Sequence, residues 1–75
     1  MTEIERQVLT VLGEQFEREP ELDEPLASLG IDSLGMAELT VEMEERFGVR
    51  VDEYILGIET ARELAAYIEK LRNLH

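Results

Sequence analysis

The stretch GIDSLGMAEL, residues 30–39, places Ser33 between a glycine-led turn and the predicted start of a helix, directly after Asp32. A hydroxyl at this position has three chemical uses. It can cap the helix, it can act as a nucleophile, or it can carry a phosphate ester. The choice among them depends on which other groups the chain supplies.

The residues around Ser33 argue against nucleophilic catalysis. A nucleophile elbow has the pattern G-x-S-x-G, and Ile31 stands where its first glycine would be. The single histidine, His75, is the last residue, so the usual general base is missing near Ser33. The chain also has no cysteine and no EF-hand pattern, which gives metal binding little support. We therefore predict that Ser33 is not a catalytic nucleophile and that the chain has no metal site.

The two other uses of Ser33 both place it at the beginning of a helix. Either Asp32 or Ser33 is expected to be the N-cap, accepting a hydrogen bond from a free amide of the first turn. A phosphate ester on Ser33 would meet the same free amides and the positive end of the helix dipole. These residues alone do not decide between a helix cap and a phosphate ester at Ser33.

The spacing of apolar residues predicts an all-α bundle of three main helices and one short helix, in a single domain over residues 1–75. The first helix is expected to begin at a capping box formed by Thr2 and Glu5, and Pro20 is expected to end it. A long loop then covers residues 17–30. Three of its leucines are expected to hold it against the core: Leu22, Leu26 and Leu29.

Two more helices and a short helical turn are predicted after this loop. The second helix is expected over residues 33–47, with Gly48 just beyond its end. The stretch VRVDEYILG begins like a strand but has no second strand to pair with, so we expect a connector and a helical turn at 52–56. Thr60 and Glu63 form a capping box that opens the last helix. Its apolar positions recur at helical spacing: Ala61, Leu64, Ala65, Ile68 and Leu71.

The second helix is apolar on two sides, although a surface helix of a small bundle needs only one apolar stripe. At about 100° per residue, the side with the larger residues is expected to face the core: Met36, Leu39, Thr40, Met43 and Phe47. The opposite side carries an outer strip of Leu34, Ala37 and Val41, with Glu38 and Glu45 along one edge and Glu44 along the other. Such a strip suits a partner groove with a basic rim, although single exposed apolar residues are also normal on protein surfaces.

The charge balance restricts the partners of the protein. The chain has 18 acidic and 7 basic residues, a net charge of -11. Such a molecule is repelled by nucleic acids and by anionic lipid surfaces, and no apolar run approaches the length of a membrane span. We therefore expect a cytoplasmic monomer that binds partners through their basic patches, without nucleic-acid binding or membrane insertion.

The stretch LGIDSLGMAEL resembles the signature of the acyl carrier protein family, in which D-S-L follows a glycine and opens a helix. The resemblance covers nearly the whole chain, through GEQF, LASLGIDSL, EMEERFGVRV and IETARELAAYI. It implies a four-helix acyl-carrier-like bundle with a long loop between helices 1 and 2. The stretch DSLGMAELTVEMEERFGV is also reminiscent of D-alanyl carrier proteins.

This resemblance implies that Ser33 carries 4′-phosphopantetheine, transferred from coenzyme A, and that its thiol holds acyl groups as thioesters. Asp32 matches the aspartate that helps the phosphopantetheinyl transferase and its metal ion. The positions that partner enzymes contact match Leu34, Ala37, Glu38, Val41, Glu44 and Glu45. The core that can part to shelter an acyl chain matches Ile4, Val8, Leu39, Met43, Phe47, Ile58, Leu64 and Ile68.

The resemblance implies that the protein is a carrier in fatty-acid, polyketide or related biosynthesis and not an enzyme. Its partners would be the transferase, an acyl-loading ligase or acyltransferase, and synthase enzymes with basic docking patches.

Gly35 departs from the family, because many fatty-acid carriers have an acidic residue there, whereas D-alanyl carriers also have glycine. A D-alanyl or aminoacyl carrier is therefore an alternative, and an unmodified acidic helical interaction module is another. Met1 lies directly before the first helix, which favours a free-standing carrier.

Overall fold

The computed structural model describes residues 1–73, so His75 lies outside the described residues. It contains three α-helices, α1 (Glu3–Phe16), α2 (Ser33–Phe47) and α3 (Ala61–Arg72). Two 3₁₀ turns, Leu26–Leu29 and Glu53–Gly57, lie between them. Residues 1–73 contain no β-strand, and none of their helices is long and apolar enough to cross a membrane. The predicted all-α bundle, with its long loop between the first two main helices, is confirmed.

The helix α1 begins as predicted but ends earlier than predicted. The Glu5 amide donates to Thr2 Oγ1 at 3.1 Å, and the Thr2 amide donates to Glu5 Oε1 at 2.8 Å, which completes the capping box. The helix ends at Phe16 because Glu17 adopts the left-handed conformation, with φ of 55°. The prediction that Pro20 ends this helix is wrong, since the chain has already turned away three residues earlier.

The loop after α1 is tied to the segment that precedes α3. Leu26 and Leu29 are buried and Leu22 is half-buried, as predicted, and the first 3₁₀ turn, which the sequence did not indicate, places both buried leucines on the core. The Leu26 amide donates to the Glu59 carbonyl at 2.7 Å. The Arg62 guanidinium also binds Asp23, with Nε at 2.8 Å from Oδ1. The long loop is therefore a packed part of the fold.

The second half of the chain follows the prediction closely. The helix α2 has the predicted bounds, and Gly48 ends it in the left-handed conformation, with φ of 64°. The second 3₁₀ turn begins one residue later than expected, and Asp52 caps it by accepting from the Tyr54 amide at 3.0 Å.

At the start of α3 only half of the predicted capping box forms. The Glu63 amide donates to Thr60 Oγ1 at 3.2 Å. The Glu63 carboxylate, however, accepts from the Glu59 amide at 2.9 Å, one residue before the predicted donor.

The core lies between α1 and α3, which pack mainly against each other, and α2 contacts both of them. The largest fully buried side chains come from all three helices: Val8, Val11, Leu12, Leu39, Met43, Leu64 and Ile68. The predicted inner face of α2 is confirmed, since Leu39 and Met43 are fully buried and Met36 and Phe47 are half-buried against the same cluster. The opposite face of α2 is therefore turned to solvent.

Candidate functional site

The first turn of α2 is capped by Asp32. Its Oδ1 accepts a hydrogen bond from the Gly35 amide at 2.7 Å, and its carbonyl accepts from the Met36 amide at 2.9 Å. Gly30, in the left-handed conformation with φ of 75°, ends the preceding 3₁₀ turn and directs the chain into this cap. Of the two residues that the sequence offered as the N-cap, the structure therefore selects Asp32.

Ser33 is exposed as the first residue of α2, and its hydroxyl has no hydrogen-bond partner within residues 1–73. The other serine, Ser28, differs in this respect, because its hydroxyl donates to Glu24 Oε2 at 2.6 Å. The amides of a helix's first turn and the positive end of its dipole stabilise a negative charge nearby. An accessible hydroxyl at such a position fits a phosphodiester such as the one that links phosphopantetheine to serine.

An apolar groove adjoins Ser33 and runs towards the second 3₁₀ turn. Its volume is about 370 Å³. The groove lies between the start of α2 and the two irregular segments, and its apolar lining consists of Leu26, Ala27, Ile31, Met36, Leu56 and Ile58. Leu56 is 70 % exposed at its edge. A group attached at Ser33 therefore has apolar surface directly beside it.

The outer strip of α2 is exposed as the periodicity predicted. Leu34 is 68 % exposed and Val41 is 51 % exposed, and Ala37 lies between them on the same face. Glu38 and Glu45 are exposed along one edge. An apolar strip of this kind, bordered by carboxylates, can contact a partner surface that is apolar at its centre and basic at its rim.

Glu44 differs from the other predicted rim residues. Its side chain is half-buried, and its Oε2 accepts a hydrogen bond from the Val51 amide at 2.8 Å. This carboxylate therefore ties α2 to the connector that follows it. Its charge lies beside the outer strip, but one of its oxygens already has a partner within the fold.

Gly35 has a packing role that the sequence did not reveal. A Cβ at this position would lie 3.3 Å from Asp32 Oδ1 and 3.4 Å from the Phe16 ring. On the other side, Gln15 Nε2 donates to the Gly35 carbonyl at 3.1 Å. A side chain at this position would therefore crowd chiefly the capping carboxylate of Asp32, and glycine also leaves the rim without a charge here.

The residues that resemblance assigned to a core able to part around an acyl chain do lie together. Ile4 and Phe47 are half-buried, and the others are buried: Val8, Leu39, Met43, Ile58, Leu64 and Ile68. Ile58 also lines the groove beside Ser33, so the groove and the core share this residue.

A polar contact between Asp52 and Tyr67 was not found from the sequence. The Tyr67 hydroxyl donates to Asp52 Oδ1 at 2.6 Å and accepts from the Asp52 amide at 3.0 Å. This hydrogen bond lowers the pKa of Asp52, while burial and the neighbouring carboxylate raise the pKa of Tyr67. Tyr54, which is 67 % exposed, stacks on Tyr67 with ring centroids 5.1 Å apart. The sequence could not indicate this contact, because its two residues are fifteen positions apart and lie in different elements.

Comparison with known protein families identifies the class. The family model for the phosphopantetheine attachment site matches residues 5–68. The chain therefore belongs to the phosphopantetheine-attachment family, whose members are non-catalytic carriers. The family resemblance and the cofactor predicted from the sequence are confirmed.

Individual relatives are carriers of two kinds. The chain is similar to an acyl carrier protein of Rhodococcus erythropolis, at 48% identity over 44 residues, which is 57% of this chain and 48% of that protein. It is similar to a meromycolate extension acyl carrier protein of Mycolicibacterium smegmatis, at 46% identity over 44 residues, 57% of this chain and 44% of that protein. A D-alanyl carrier protein of Streptococcus sanguinis is 34% identical over 77 residues, covering 95% of this chain and 98% of that protein. The match thus spans less than half the length of the Rhodococcus and Mycolicibacterium relatives and nearly all of the Streptococcus one.

Proposed function

We propose that the protein is an acyl carrier that bears 4′-phosphopantetheine on Ser33. The observation that carries this proposal is the accessible, unpartnered Ser33 hydroxyl at the head of α2, in a chain of the phosphopantetheine-attachment family. Residues 1–75 then act as a single carrier domain. It works in the cytoplasm, where it serves fatty-acid, polyketide or related biosynthesis.

In this proposal, Ser33 supplies the attacking oxygen of the loading reaction. Its Oγ forms a bond to the phosphorus of the phosphopantetheine moiety in coenzyme A, the pyrophosphate bond breaks, and 3′,5′-adenosine diphosphate leaves. We assign the base that accepts the Ser33 proton to the transferase. Asp32 directly precedes Ser33 in the chain and keeps the first turn of α2 in place through its hydrogen bond from the Gly35 amide. The bound group supplies a thiol, which holds an acyl chain as a thioester.

The surface around Ser33 would then deliver the acyl group to partner enzymes. We assign Leu34, Ala37 and Val41 to apolar contact and Glu38, Glu44 and Glu45 to the acidic rim. The partners are the phosphopantetheinyl transferase, an acyl-loading ligase or acyltransferase, and synthases with basic docking patches. Charge steering gives fast encounter without requiring slow release, which suits a carrier that visits several enzymes in turn.

A second function, as a D-alanyl or aminoacyl carrier, is supported by one specific observation. Similarity to the Streptococcus sanguinis D-alanyl carrier protein extends over nearly the whole chain. Both functions use the same serine and the same thiol, and they differ in the group that is loaded and in the enzymes that load and receive it. To distinguish the two functions, the protein that carries phosphopantetheine is incubated with a ligase that activates amino acids or with one that activates acyl groups. The mass added to the protein shows which group it accepts.

The attachment site is tested by intact mass spectrometry after incubation with coenzyme A, Mg²⁺ and a broad-specificity phosphopantetheinyl transferase. We expect the wild-type protein to gain one phosphopantetheine, Ser33→Ala to gain none, and Ser28→Ala to behave as wild type. Ser28 is a matched control because the chain has only these two serines. A wild-type protein that stays unmodified, while a known carrier is modified in parallel, would leave the unmodified interaction module as the function.

A stability measurement makes the Ser33→Ala result interpretable. Since Asp32 is the cap, Ser33→Ala should change the free energy of unfolding by less than about 0.5 kcal/mol, whereas Asp32→Ala should lower it by about 1 kcal/mol. Urea unfolding followed by circular dichroism measures both. If Ser33→Ala destabilised the protein as strongly as Asp32→Ala, its failure to be modified would reflect a damaged helix start.

A further inference from the structure

The position of Ser33 depends on the backbone of the first turn of α2. Its hydroxyl has no hydrogen-bond partner within residues 1–73, so the side chain does not hold the residue in place. The cap joins only neighbouring residues, because Asp32 Oδ1 accepts from the Gly35 amide at 2.7 Å. Helix ends fray readily. A contact from another element is therefore needed to fix where this turn lies on the molecule.

Gln15, in the last turn of α1, makes such a contact. Its side-chain Nε2 donates to the Gly35 carbonyl at 3.1 Å, across twenty positions of the chain. Within the part of the chain that the structure describes, it is the one hydrogen bond from α1 to the first turn of α2. The other polar contact between these helices joins Arg46 to Glu14 at 3.5 Å, and it belongs to the last turn of α2.

Gly35 is therefore held from two sides. Asp32 accepts from its amide, and Gln15 donates to its carbonyl. Ser33 lies in the turn that Asp32 and Gly35 enclose. The Phe16 ring is also close, since a Cβ on Gly35 would lie 3.4 Å from it. An apolar contact has no preferred direction and lets one helix slide on another, whereas a hydrogen bond fixes their register.

The stability of the fold does not by itself explain an amide at position 15. The side chain is half-buried, and its Oε1 is buried without a hydrogen-bond partner within residues 1–73. A buried acceptor without a partner is unfavourable, and this offsets what the Nε2 bond contributes to stability. Methionine has nearly the same length and would avoid the unpartnered oxygen. The amide therefore points to a use other than stability.

We propose that Gln15 is a positioning residue for the transfer of phosphopantetheine to Ser33. It holds the Gly35 carbonyl against α1, so the transferase meets the Ser33 hydroxyl in one orientation. Group transfer depends steeply on the orientation of the attacking oxygen, and a small displacement slows it. The inference rests on the proposed function, because it concerns the same serine. Gln15 acts through Gly35 and takes no part in the bonds that form and break.

The test compares the wild-type protein with Gln15→Met and Gln7→Met. Gln7 is a matched control, because the chain has only these two glutamines and both are half-buried in α1. The Gln7 amide donates to Glu3 of the same helix at 3.3 Å, so its loss leaves the contact with α2 intact. Both variants should keep the urea midpoint of the wild type. A midpoint lowered in Gln15→Met alone would mean that the bond serves the fold as a whole, and the proposal would be wrong.

Amide hydrogen exchange, followed by NMR on the protein without phosphopantetheine, reports on the turn itself. In Gln15→Met we expect the Gly35 and Met36 amides to exchange about two- to tenfold faster, the range that one hydrogen bond accounts for. The Met43 amide, in the middle of the core face, should keep its rate. A side chain that only touched the transferase would leave exchange in the free carrier unchanged, and that result would contradict the proposal.

The transfer step is measured in single turnovers, with the transferase in excess over the carrier and coenzyme A saturating. The maximal rate should fall about two- to tenfold in Gln15→Met and stay unchanged in Gln7→Met. The transferase concentration at half the maximal rate should not change, because positioning affects the reacting orientation and not the docking surface. An unchanged maximal rate, or a change in the half-saturating concentration alone, would overturn the role of Gln15. A wild-type protein that is never modified would instead overturn the proposed function, and this role with it.

Discussion

Asp32 and Ser33 show how adjacent residues of similar local propensity take different roles at one helix start. Both residue types are favoured at an N-cap, and the sequence offered no means of choosing between them. The structure gives the cap to Asp32, whose oxygen reaches the Gly35 amide, and leaves the Ser33 hydroxyl in solvent. The attachment role of Ser33 stays a prediction, because only chemistry on the protein itself can test it.

At the same scale, the contact between Tyr67 and Asp52 predicts a pH-dependent stability. The pKa of Asp52 is lowered in the fold, chiefly by the Tyr67 hydroxyl. This carboxylate therefore stabilises the fold above the pKa it has in the unfolded chain, and the contribution is lost as the pH falls through the folded-state pKa. The pKa of Tyr67 is raised in the fold. Its contribution to the stability of the fold is therefore present below the ordinary pKa of tyrosine and is lost as the pH rises through the raised pKa.

The variant Tyr67→Phe should lower the free energy of unfolding at pH 7 and move the Asp52 pKa back up towards its ordinary value. The difference in stability from the wild type should shrink on acidification below the Asp52 pKa. Urea unfolding at pH 7 and at a pH below the Asp52 pKa measures the difference in stability. NMR titration of the Asp52 carboxyl carbon measures its pKa. Tyr54→Phe is the control, because it keeps the ring stack and leaves the bond to Asp52 intact. An unchanged Asp52 pKa in Tyr67→Phe would show that the contact does not persist in solution.

At the scale of elements, the sequence predicted what depends on local spacing and missed what depends on contacts between distant segments. The bounds of α2 were predictable because a capping residue and Gly48 enclose a periodic apolar pattern. The end of α1 was not, because it depends on Glu17 in a left-handed conformation that propensity disfavours. Within the site, the outer strip followed from periodicity, whereas the groove beside Ser33 depends on how the two 3₁₀ turns pack beside the start of α2.

The chain turns back after α1, so a side chain at Gly13 would collide with the backbone that follows this helix. A Cβ there would lie 2.8 Å from the Arg18 carbonyl oxygen, which is backbone and cannot rotate away. We expect Gly13→Ala to lower the free energy of unfolding by about 1–2 kcal/mol, although alanine is favoured over glycine in a helix by about 1 kcal/mol.

Urea unfolding measures this effect, with Gly57→Ala as the matched control, because a Cβ on Gly57 meets no atom within 4 Å. That control should be neutral or slightly stabilising. A stabilised Gly13→Ala protein would mean that the Arg18 carbonyl moves aside at little cost.

At the scale of the whole molecule, the net charge of -11 predicts that salt stabilises the fold. The molecule measures 32 × 27 × 19 Å. The Debye length is about 30 Å at 0.01 M ionic strength and about 8 Å at 0.15 M, so at low salt carboxylates repel each other across the whole protein. Salt also weakens the ion pairs that four arginines form within residues 1–73, but these arginine side chains are 35–66% exposed and each pair contributes little.

We therefore expect the melting temperature to rise between 0.01 M and 0.15 M NaCl, because over this range the Debye length falls from about the size of the molecule to well below it. Thermal unfolding followed by circular dichroism measures the shift. The variant Glu69→Gln, which removes one exposed carboxylate, should raise the melting temperature more at low salt than at high salt. A melting temperature that falls with added salt would mean that the ion pairs outweigh the general repulsion.

The packing of α1 mainly against α3 sets the order of events during synthesis. A nascent chain that has produced α1 and α2 still lacks Leu64 and Ile68, which join Val8 and Leu12 in the same core cluster. The intervening chain must also close before these distant contacts form, which costs entropy in advance. A chain that ends before α3 should therefore lack the folded core, and the first turn of α2 is held in its place only once α3 has packed.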